Sequence, residues 1–149
     1  MQKSYGFTLA EMVVVVALIV ILSTTILFTT LYFVNRSKNS NIHGNLSILI
    51  PAGEVYYDGP GEKSYYGFCG SSVVLNSFEQ MPLPSSYTPY CKVSDSYDKW
   101  VACVKLFTPK NPEKAFCVDS RGVKEEIDIA DCPEDSETDM PNFECPPID

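Results

Sequence analysis

The stretch GFTLAEMVVVVALIVIL, residues 6–22, decides the fold, because it opens a long apolar segment that contains a single charged residue. Every residue of 12–22 is apolar, and no glycine or proline occurs in residues 7–41. An α-helix rises 1.5 Å per residue, so about 20 residues cross the hydrocarbon core of a bilayer. The pattern therefore predicts a transmembrane helix. Glu11 lies inside it, although a carboxylate at that depth costs roughly 2.5–3.5 kcal/mol.

The segment 35–57 predicts that the helix continues with one apolar face. Apolar residues recur there at i, i+4, i+7 and i+8, which is the spacing of an amphipathic helix. These residues are Ile42, Leu46, Leu49 and Ile50. Pro51 lacks a backbone donor, and with Gly53 it is predicted to kink or end the helix. The sequence DGPG at 58–61 is a strong turn signal.

Residues 65–149 predict a small globular β domain, because prolines and glycines punctuate a stretch rich in tyrosine, valine and phenylalanine. Its clearest unit is a hairpin within KWVACVKLFTPKNPEKAFCVDSRG, residues 99–122. A turn centred on Lys110 gives three facing pairs: Ala102 with Val118, Val104 with Phe116, and Cys103 with Cys117. The predicted fold class is α+β, with a long N-terminal hydrophobic helix packed on a small antiparallel β-sheet that carries disulfides.

All six cysteines lie within residues 69–145, behind the apolar segment. An even number in this position predicts disulfides formed outside the cytoplasm. The hairpin register favours a bridge between Cys103 and Cys117, because side chains opposite each other in an antiparallel pair are close enough to bond. A sequential set then adds Cys69–Cys91 and Cys132–Cys145. A rival arrangement joins Cys69 to Cys117 and Cys103 to Cys91.

The tail DIADCPEDSETDMPNFECPPID, residues 128–149, is acidic and contains the last two cysteines. It predicts a solvated loop that the cysteines hold in place. A calcium site is the alternative, since Ca²⁺ takes six to eight oxygen ligands. The candidate ligands are Asp131, Glu134, Asp135 and Asp139, and Asp95 with Asp98 forms a second candidate. Because the D-x-[DN]-x-[DN]-G spacing is absent, the prediction is that the protein has no metal and no cofactor.

Charge and composition exclude two classes of function. The chain has 11 Lys+Arg against 19 Asp+Glu, a net charge of −8, so it offers no basic patch for nucleic acid. His43 is the only histidine, and the sequence has no G-x-S-x-G, H-E-x-x-H or C-x-x-C motif. A catalytic nucleophile with its base is therefore missing, and the prediction is that the protein is not an enzyme.

A cationic partner would offset the cost of the Glu11 carboxylate. Cleavage directly before Phe7 would create such a partner, a free α-amino group. The residues G-F-T-L-A-E, followed by aliphatic residues, resemble the N-terminal signature of type IV pilins and pseudopilins. The resemblance makes residues 1–6 a leader peptide that prepilin peptidase removes between Gly6 and Phe7. It makes Phe7 the N-methylated new N-terminus and Glu11 the assembly residue. Residues 7–34 become the transmembrane and polymerisation helix. Ala10 departs from the family, which usually has a bulkier aliphatic residue there.

The resemblance implies a structural subunit with the pilin fold that polymerises into a type IV pilus-like filament, or fimbrium, through its N-terminal helix. Its partners would be copies of itself or related pilins, prepilin peptidase, the assembly platform and, before assembly, membrane lipid. The precursor would cross the cytoplasmic membrane once with its N-terminus inside. The mature form would lie in an extracellular filament or in a periplasmic or cell-surface pseudopilus. The alternative is a membrane-tethered adhesion or receptor domain that does not polymerise.

Overall fold

The structure is a computed structural model that describes residues 8–84, 87–107, 113–133 and 138–146, without the side chains of residues 27–29 and 31. Its first element is helix α1, Leu9–Asp58. The chain forms two compact units, Met1–Asn35 and Arg36–Asp149. The α+β class predicted from the sequence is confirmed by this helix together with a small antiparallel sheet and three disulfides.

In the first unit, α1 carries the apolar segment Leu9–Ile26, whose mean hydropathy is 2.5 and of which no residue is buried. Within the described part of the chain it is the one helix long and apolar enough to cross a membrane. The hydroxyls inside it bond back to the helix, as Ser23 Oγ does to the Ile19 carbonyl at 2.7 Å and Thr24 Oγ1 to the Ile21 carbonyl at 2.8 Å. Their polarity is thereby satisfied without a partner outside the helix.

In the second unit, α1 continues through Pro51 and ends at Asp58. The prediction that the helix ends at Pro51 or Gly53 is therefore wrong. Proline removes one backbone hydrogen bond, but the packing of the helix against the sheet is retained on both sides of it. Among the described side chains of α1, the buried ones are Ile42, Leu46 and Leu49, all 0 % exposed. The predicted apolar stripe is therefore the face that α1 buries, with Ile50 partly buried beside it.

The segment between α1 and the sheet is helical, where the sequence predicts a β domain from residue 65. It contains the 3₁₀ turn Phe68–Gly70 and helix α2, Ser72–Glu79. Only Val74 and Ser77 of α2 are buried, and their i, i+3 spacing fits one face of a helix. The β-branched residues 73 and 74 favour a strand by propensity, and the tertiary packing overrides that preference.

The sheet consists of four antiparallel strands in the order β1-β2-β3-β4 within the described residues. The strands are β1, Tyr90–Val93; β2, Trp100–Lys105; β3, Lys114–Asp119; and β4, Lys124–Asp128. Strands β2 and β3 pair Ala102 with Val118, Cys103 with Cys117, and Val104 with Phe116. The hairpin register predicted from the sequence is therefore confirmed.

The two faces of the sheet are covered by different parts of the chain. On one face Phe116 stacks on His43 of α1 with ring centroids 4.1 Å apart, and the Trp100 indole lies against Gly53. Side chains alternate across a strand, so Cys103 and Cys117 project from the opposite face. The C-terminal segment lies over them, with short 3₁₀ turns at Ile129–Asp131 and Pro141–Phe143.

The disulfides differ from the favoured prediction. Cys103 bonds Cys132 and Cys117 bonds Cys145, so neither the Cys103–Cys117 bridge nor the Cys132–Cys145 bridge is present. Cys69 bonds Cys91, as in the sequential set, and the rival arrangement is absent. The register does place the two strand thiols opposite each other. Because the C-terminal segment crosses the same face, each thiol bonds a cysteine of that segment instead of its neighbour.

A buried carboxylate holds the end of this segment. Asp119, 0 % exposed, accepts hydrogen bonds from the backbone N–H groups of Arg121 (3.0 Å), Val123 (3.3 Å) and Cys145 (3.0 Å). The Arg121 guanidinium donates two more, at 3.0 and 2.6 Å, and the hydrogen bonds to Asp119 raise the pKa of Arg121. Arg121 also pairs with Glu144 at 2.9 Å. This network fixes the C-terminal segment to the turn between β3 and β4.

Gly53 gives a first prediction, because a Cβ there would lie 2.7 Å from Trp100 Nε1 while a Cβ at Gly44 would have no atom within 4 Å. Both glycines lie inside α1, where alanine is favoured over glycine by about 1 kcal/mol. We expect Gly44→Ala to raise the free energy of unfolding by up to about 1 kcal/mol. Gly53→Ala should lower it by about 1–3 kcal/mol through overpacking. Urea unfolding of the two variants in detergent tests this, and equal stability would contradict it.

His43 gives a second prediction. Burial of the ring lowers the pKa of His43, and Glu126, whose Oε1 lies 3.4 Å from Nε2, opposes that shift. The unfolded chain therefore binds the proton more tightly, so the stabilisation is complete above the unfolded pKa of about 6.5 and is lost as pH falls through the folded pKa. We expect the urea concentration at the unfolding midpoint to decrease as the pH is lowered from 7.5 to 5.5.

His43→Phe is the matched control, because it keeps an aromatic ring on Phe116 and removes the titrating group. The chain has no other histidine, so this variant should show a flatter profile over the same pH range. The effect is modest, since the His43 side chain is 35 % exposed. The same pH dependence in both proteins would show that His43 is not its source.

Candidate functional site

The N-terminal end of α1 is organised by a capping box between Thr8 and Glu11. Thr8 Oγ1 accepts a hydrogen bond from the Glu11 backbone N–H at 3.2 Å. In return, Glu11 Oε2 accepts one from the Thr8 backbone N–H at 2.9 Å and another from the Thr8 hydroxyl at 2.8 Å. This reciprocal pattern satisfies backbone donors that the first turn of a helix leaves without partners.

Glu11 is the only charged residue in the segment Leu9–Ile26. It lies in the first turn of α1, where a negative charge is favoured by the helix dipole. Its hydrogen bonds from Thr8 both end on Oε2, and no donor from the described residues reaches Oε1. A carboxylate oxygen has two lone pairs, so the group keeps capacity for a donor from another molecule.

Thr8 is a site residue that the sequence analysis missed. The signal was present, because T-x-x-E directly before an apolar run is the sequence pattern of a capping box. Gly6 and Phe7 lie outside the described residues, and their predicted roles in cleavage and methylation stay predictions. The structure thus places Glu11 at the start of the apolar helix and adds Thr8 as its partner.

The acidic tail was the candidate for calcium. Asp131 and Asp139 are described, whereas Glu134 and Asp135 lie outside the described residues. Asp139 is paired with Lys92, and the hydrogen bond between them raises the pKa of Lys92. In the described ranges no three acidic, histidine or cysteine side chains form a group able to hold a metal ion. The calcium alternative stays a prediction.

The second candidate, Asp95 with Asp98, lies in the turn between β1 and β2. Asp98 accepts hydrogen bonds from the hydroxyls of Ser94, at 2.8 Å, and Ser96. These bonds lower the pKa of Asp98, with Ser96 as the larger cause. The carboxylate therefore stabilises its own turn. In the same turn, the Ser94 N–H donates a hydrogen bond to the Lys99 carbonyl at 3.0 Å.

The family comparison concerns the same end of the chain. Residues 1–27 match the family model described as the prokaryotic N-terminal methylation motif. The chain carries this methylation motif. The motif is the class III signal of type IV pilins, and it indicates a pilin-like or pseudopilin precursor. It also suggests a structural rather than an enzymatic protein, in agreement with the sequence analysis. Searches of curated proteins and of solved structures gave no match.

The motif and the structure agree on the position of the apolar helix. The matched residues contain the capping box and the whole segment Leu9–Ile26. One apolar N-terminal helix together with this motif is consistent with membrane anchoring of the precursor. The pilin motif also implies, in general, assembly with other pilins and processing by prepilin peptidase.

Proposed function

We propose that this chain is a structural subunit that is cut by prepilin peptidase and then polymerises into a type IV pilus-like filament or pseudopilus through α1. The observation that carries the proposal is Glu11. It is a single carboxylate in an apolar segment, held at the start of the helix within the methylation motif. A charge in that position costs free energy in a bilayer unless a partner satisfies it, so its presence indicates a functional site.

Cleavage supplies that partner. Hydrolysis of the Gly6–Phe7 peptide bond leaves a carboxylate on Gly6 and a free amine on Phe7, which is cationic near neutral pH and stays so when it carries one methyl group. The amine of one subunit then binds the Glu11 carboxylate of a neighbour. The free capacity of Oε1 supports this step, because the capping box does not have to break for the amine to bind.

Apolar burial holds the helices together once they have left the lipid, and the charge pair sets their register. Before assembly, lipid surrounds the apolar side chains of α1. In the filament the helices bury these side chains against one another, at about 0.8 kcal/mol per CH₂ relative to water. Valine and isoleucine surfaces slide past one another with little preference. A buried carboxylate without its amine costs several kcal/mol, so the pair selects one axial stagger.

The proposal defines partners and location. The precursor is anchored in the cytoplasmic membrane with its N-terminus inside, surrounded by lipid, and meets prepilin peptidase and the assembly platform there. The mature subunit joins copies of itself or related pilins in an extracellular filament or a periplasmic or cell-surface pseudopilus. The three disulfides support this location, because such bonds persist in oxidising compartments outside the cytoplasm.

The mass of the mature N-terminus tests the processing step. We expect the N-terminal peptide of the purified protein to begin at Phe7 and to carry one methyl group on its amine. Peptide mass spectrometry of chains from cells with and without prepilin peptidase is the measurement. A chain that keeps Met1 in cells with active peptidase would refute processing and favour the tethered adhesion or receptor domain.

Glu11→Gln tests the charge pair separately from the helix cap. Glutamine at this position still serves a capping box, so α1 should keep its first turn while the negative charge is lost. We expect the amount of subunit in sheared filaments to fall more than about tenfold, the consequence of an amine left unpaired in an apolar core. Quantitative immunoblotting of filament and membrane fractions measures this.

Two controls make the result specific. Thr8→Val removes the hydroxyl of the capping box and keeps the carboxylate, so it should assemble nearly as well as wild type. Met12→Leu changes an adjacent apolar side chain and should have no effect. Normal assembly of Glu11→Gln, or an equal loss in Thr8→Val, would show that the carboxylate acts only as a helix cap.

A further inference from the structure

An apolar notch lies beside Glu11 on the surface of the first unit. It has a volume of about 370 Å³, and it is lined by Ala10, Val14 and Val15 together with Glu11 itself. These four residues follow one another at i, i+1, i+4 and i+5, so they lie on one side of α1. We call this surface the Glu11 notch.

The small side chain of Ala10 leaves the space of the notch. Ala10 is the only alanine in residues 9–16, and every other residue there has a larger side chain. The walls are open to another molecule, since Val14 is 58 % exposed and Val15 is 43 % exposed. Apolar walls beside one polar group that fixes orientation are the usual composition of a binding site.

The carboxylate at the edge of the notch determines what kind of group can bind there. Both hydrogen bonds from Thr8 end on Oε2, so Oε1 can accept a bond from another molecule. Residues 7–34 contain no lysine, arginine or histidine. The cation that the apolar helices can bring to Glu11 is therefore the amine that cleavage creates on Phe7.

We propose that the Glu11 notch binds the side chain of Phe7 from a second copy of the chain while the amine of the same Phe7 pairs with Glu11. This proposal rests on the proposed function, which supplies the cleavage and the charge pair. In Phe7 the amine and the benzyl group are bonded to one carbon atom. When the amine lies on Oε1, the ring stays within one side-chain length of Glu11, and the notch offers an apolar surface within that reach.

The covalent structure of Phe7 favours it over lipid as the occupant. An acyl chain can cover the apolar walls but has no cation for the carboxylate. An aminophospholipid has an amine, but its phosphate and glycerol separate the amine from the acyl chains and would bring a second negative charge towards Glu11. Phe7 joins a cation directly to an apolar ring, which matches a carboxylate directly beside an apolar notch.

The ring adds directional selectivity to the charge pair. A carboxylate accepts a donor over a broad range of directions, so the pair alone leaves the approach of the neighbouring helix loosely defined. A ring seated between Ala10, Val14 and Val15 fixes that approach, because the notch lies on one side of α1. The N-terminus of the neighbour is thus recognised by its charge and by its shape.

Site-specific photocrosslinking in filaments of the full chain tests the contact. A benzophenone amino acid replaces Val14 in the notch, and in a matched control it replaces Val13, which is 60 % exposed and does not line the notch. Residues 7–35 contain no lysine or arginine, so trypsin leaves 7–36 as one peptide, and an adduct between two copies is a pair of linked peptides. We expect the probe at position 14 to label Phe7 of a second copy at least about fivefold more than the probe at position 13.

The other outcomes of the crosslinking overturn the proposal. They are adducts of the position 14 probe with lipid, with Phe7 of the same copy or only with other residues, the absence of any adduct, and equal labelling of Phe7 from both positions.

Ala10→Leu tests the size of the notch, and Ala17→Leu is its matched control. Both variants add the same atoms to the same apolar segment, but Ala17 lies seven residues further along and does not line the notch. We expect Ala10→Leu to enter filaments at least about fivefold less than Ala17→Leu, because the leucine takes the space of the ring. Immunoblotting of filament fractions measures this, and mass spectrometry verifies that both chains begin at Phe7.

Phe7→Ala completes a double-mutant cycle with Ala10→Leu. It removes the ring and keeps the amine, so the leucine at position 10 then has room in the notch. We expect Ala10→Leu to reduce filament entry at least about threefold less in the Phe7→Ala chain than in wild type. The same relative loss in both backgrounds would show that the ring and the notch are not in contact.

Glu11→Gln separates this proposal from the proposed function. If Glu11→Gln loses assembly while Ala10→Leu and Ala17→Leu assemble equally, only the notch proposal fails. If Glu11→Gln assembles normally, or wild type forms no filament, the proposed function fails and the notch proposal falls with it.

Discussion

The burial of both faces of one small sheet is the constraint on which the second unit depends. Four short strands cannot be stable with an apolar face in water, so each face needs a cover. Helix α1 covers one face through Phe116 and Trp100, and the C-terminal segment covers the other through two disulfides and Asp119. Trp100 lies so close to α1 that only a glycine fits at position 53. The two covers explain why β2 is buried along almost its whole length.

The two ends of α1 differ in what covers their apolar side chains. In the second unit α1 buries one stripe against the sheet, whereas no residue of Leu9–Ile26 is buried by the protein. That segment is suited to lipid or to other helices, and its hydroxyls are satisfied internally. Glu11 is the exception. Thr8 stabilises its carboxylate at the helix start with two hydrogen bonds to Oε2, and the carboxylate can still accept a hydrogen bond from a further donor. A carboxylate that caps its own helix can recognise an amine without a conformational change.

The C-terminal segment shows how a pattern of residues can be interpreted correctly and still give a wrong connectivity. The register that placed Cys103 opposite Cys117 is present, and the bridge inferred from it is not. Two thiols on one sheet face can bond each other or can bond cysteines of the segment that covers that face. Sequence alone predicted a solvated loop for the cover. The sequence analysis did not predict helix α2 for a related reason: local propensity favours a strand there, whereas tertiary packing selects a helix.

The sequence by itself determined the parts that depend on local rules. An unbroken apolar run indicated the apolar segment, and hydrophobic periodicity indicated the buried stripe of α1. Side-chain alternation indicated the β2–β3 register, and the residues G-F-T-L-A-E indicated the methylation motif. Only the tertiary structure decided the disulfide pairs, the path of α1 through Pro51, and the role of Gly53. These features depend on contacts between residues far apart in the chain. A local pattern cannot specify them, because which surfaces meet is set by how the whole sheet buries its two faces.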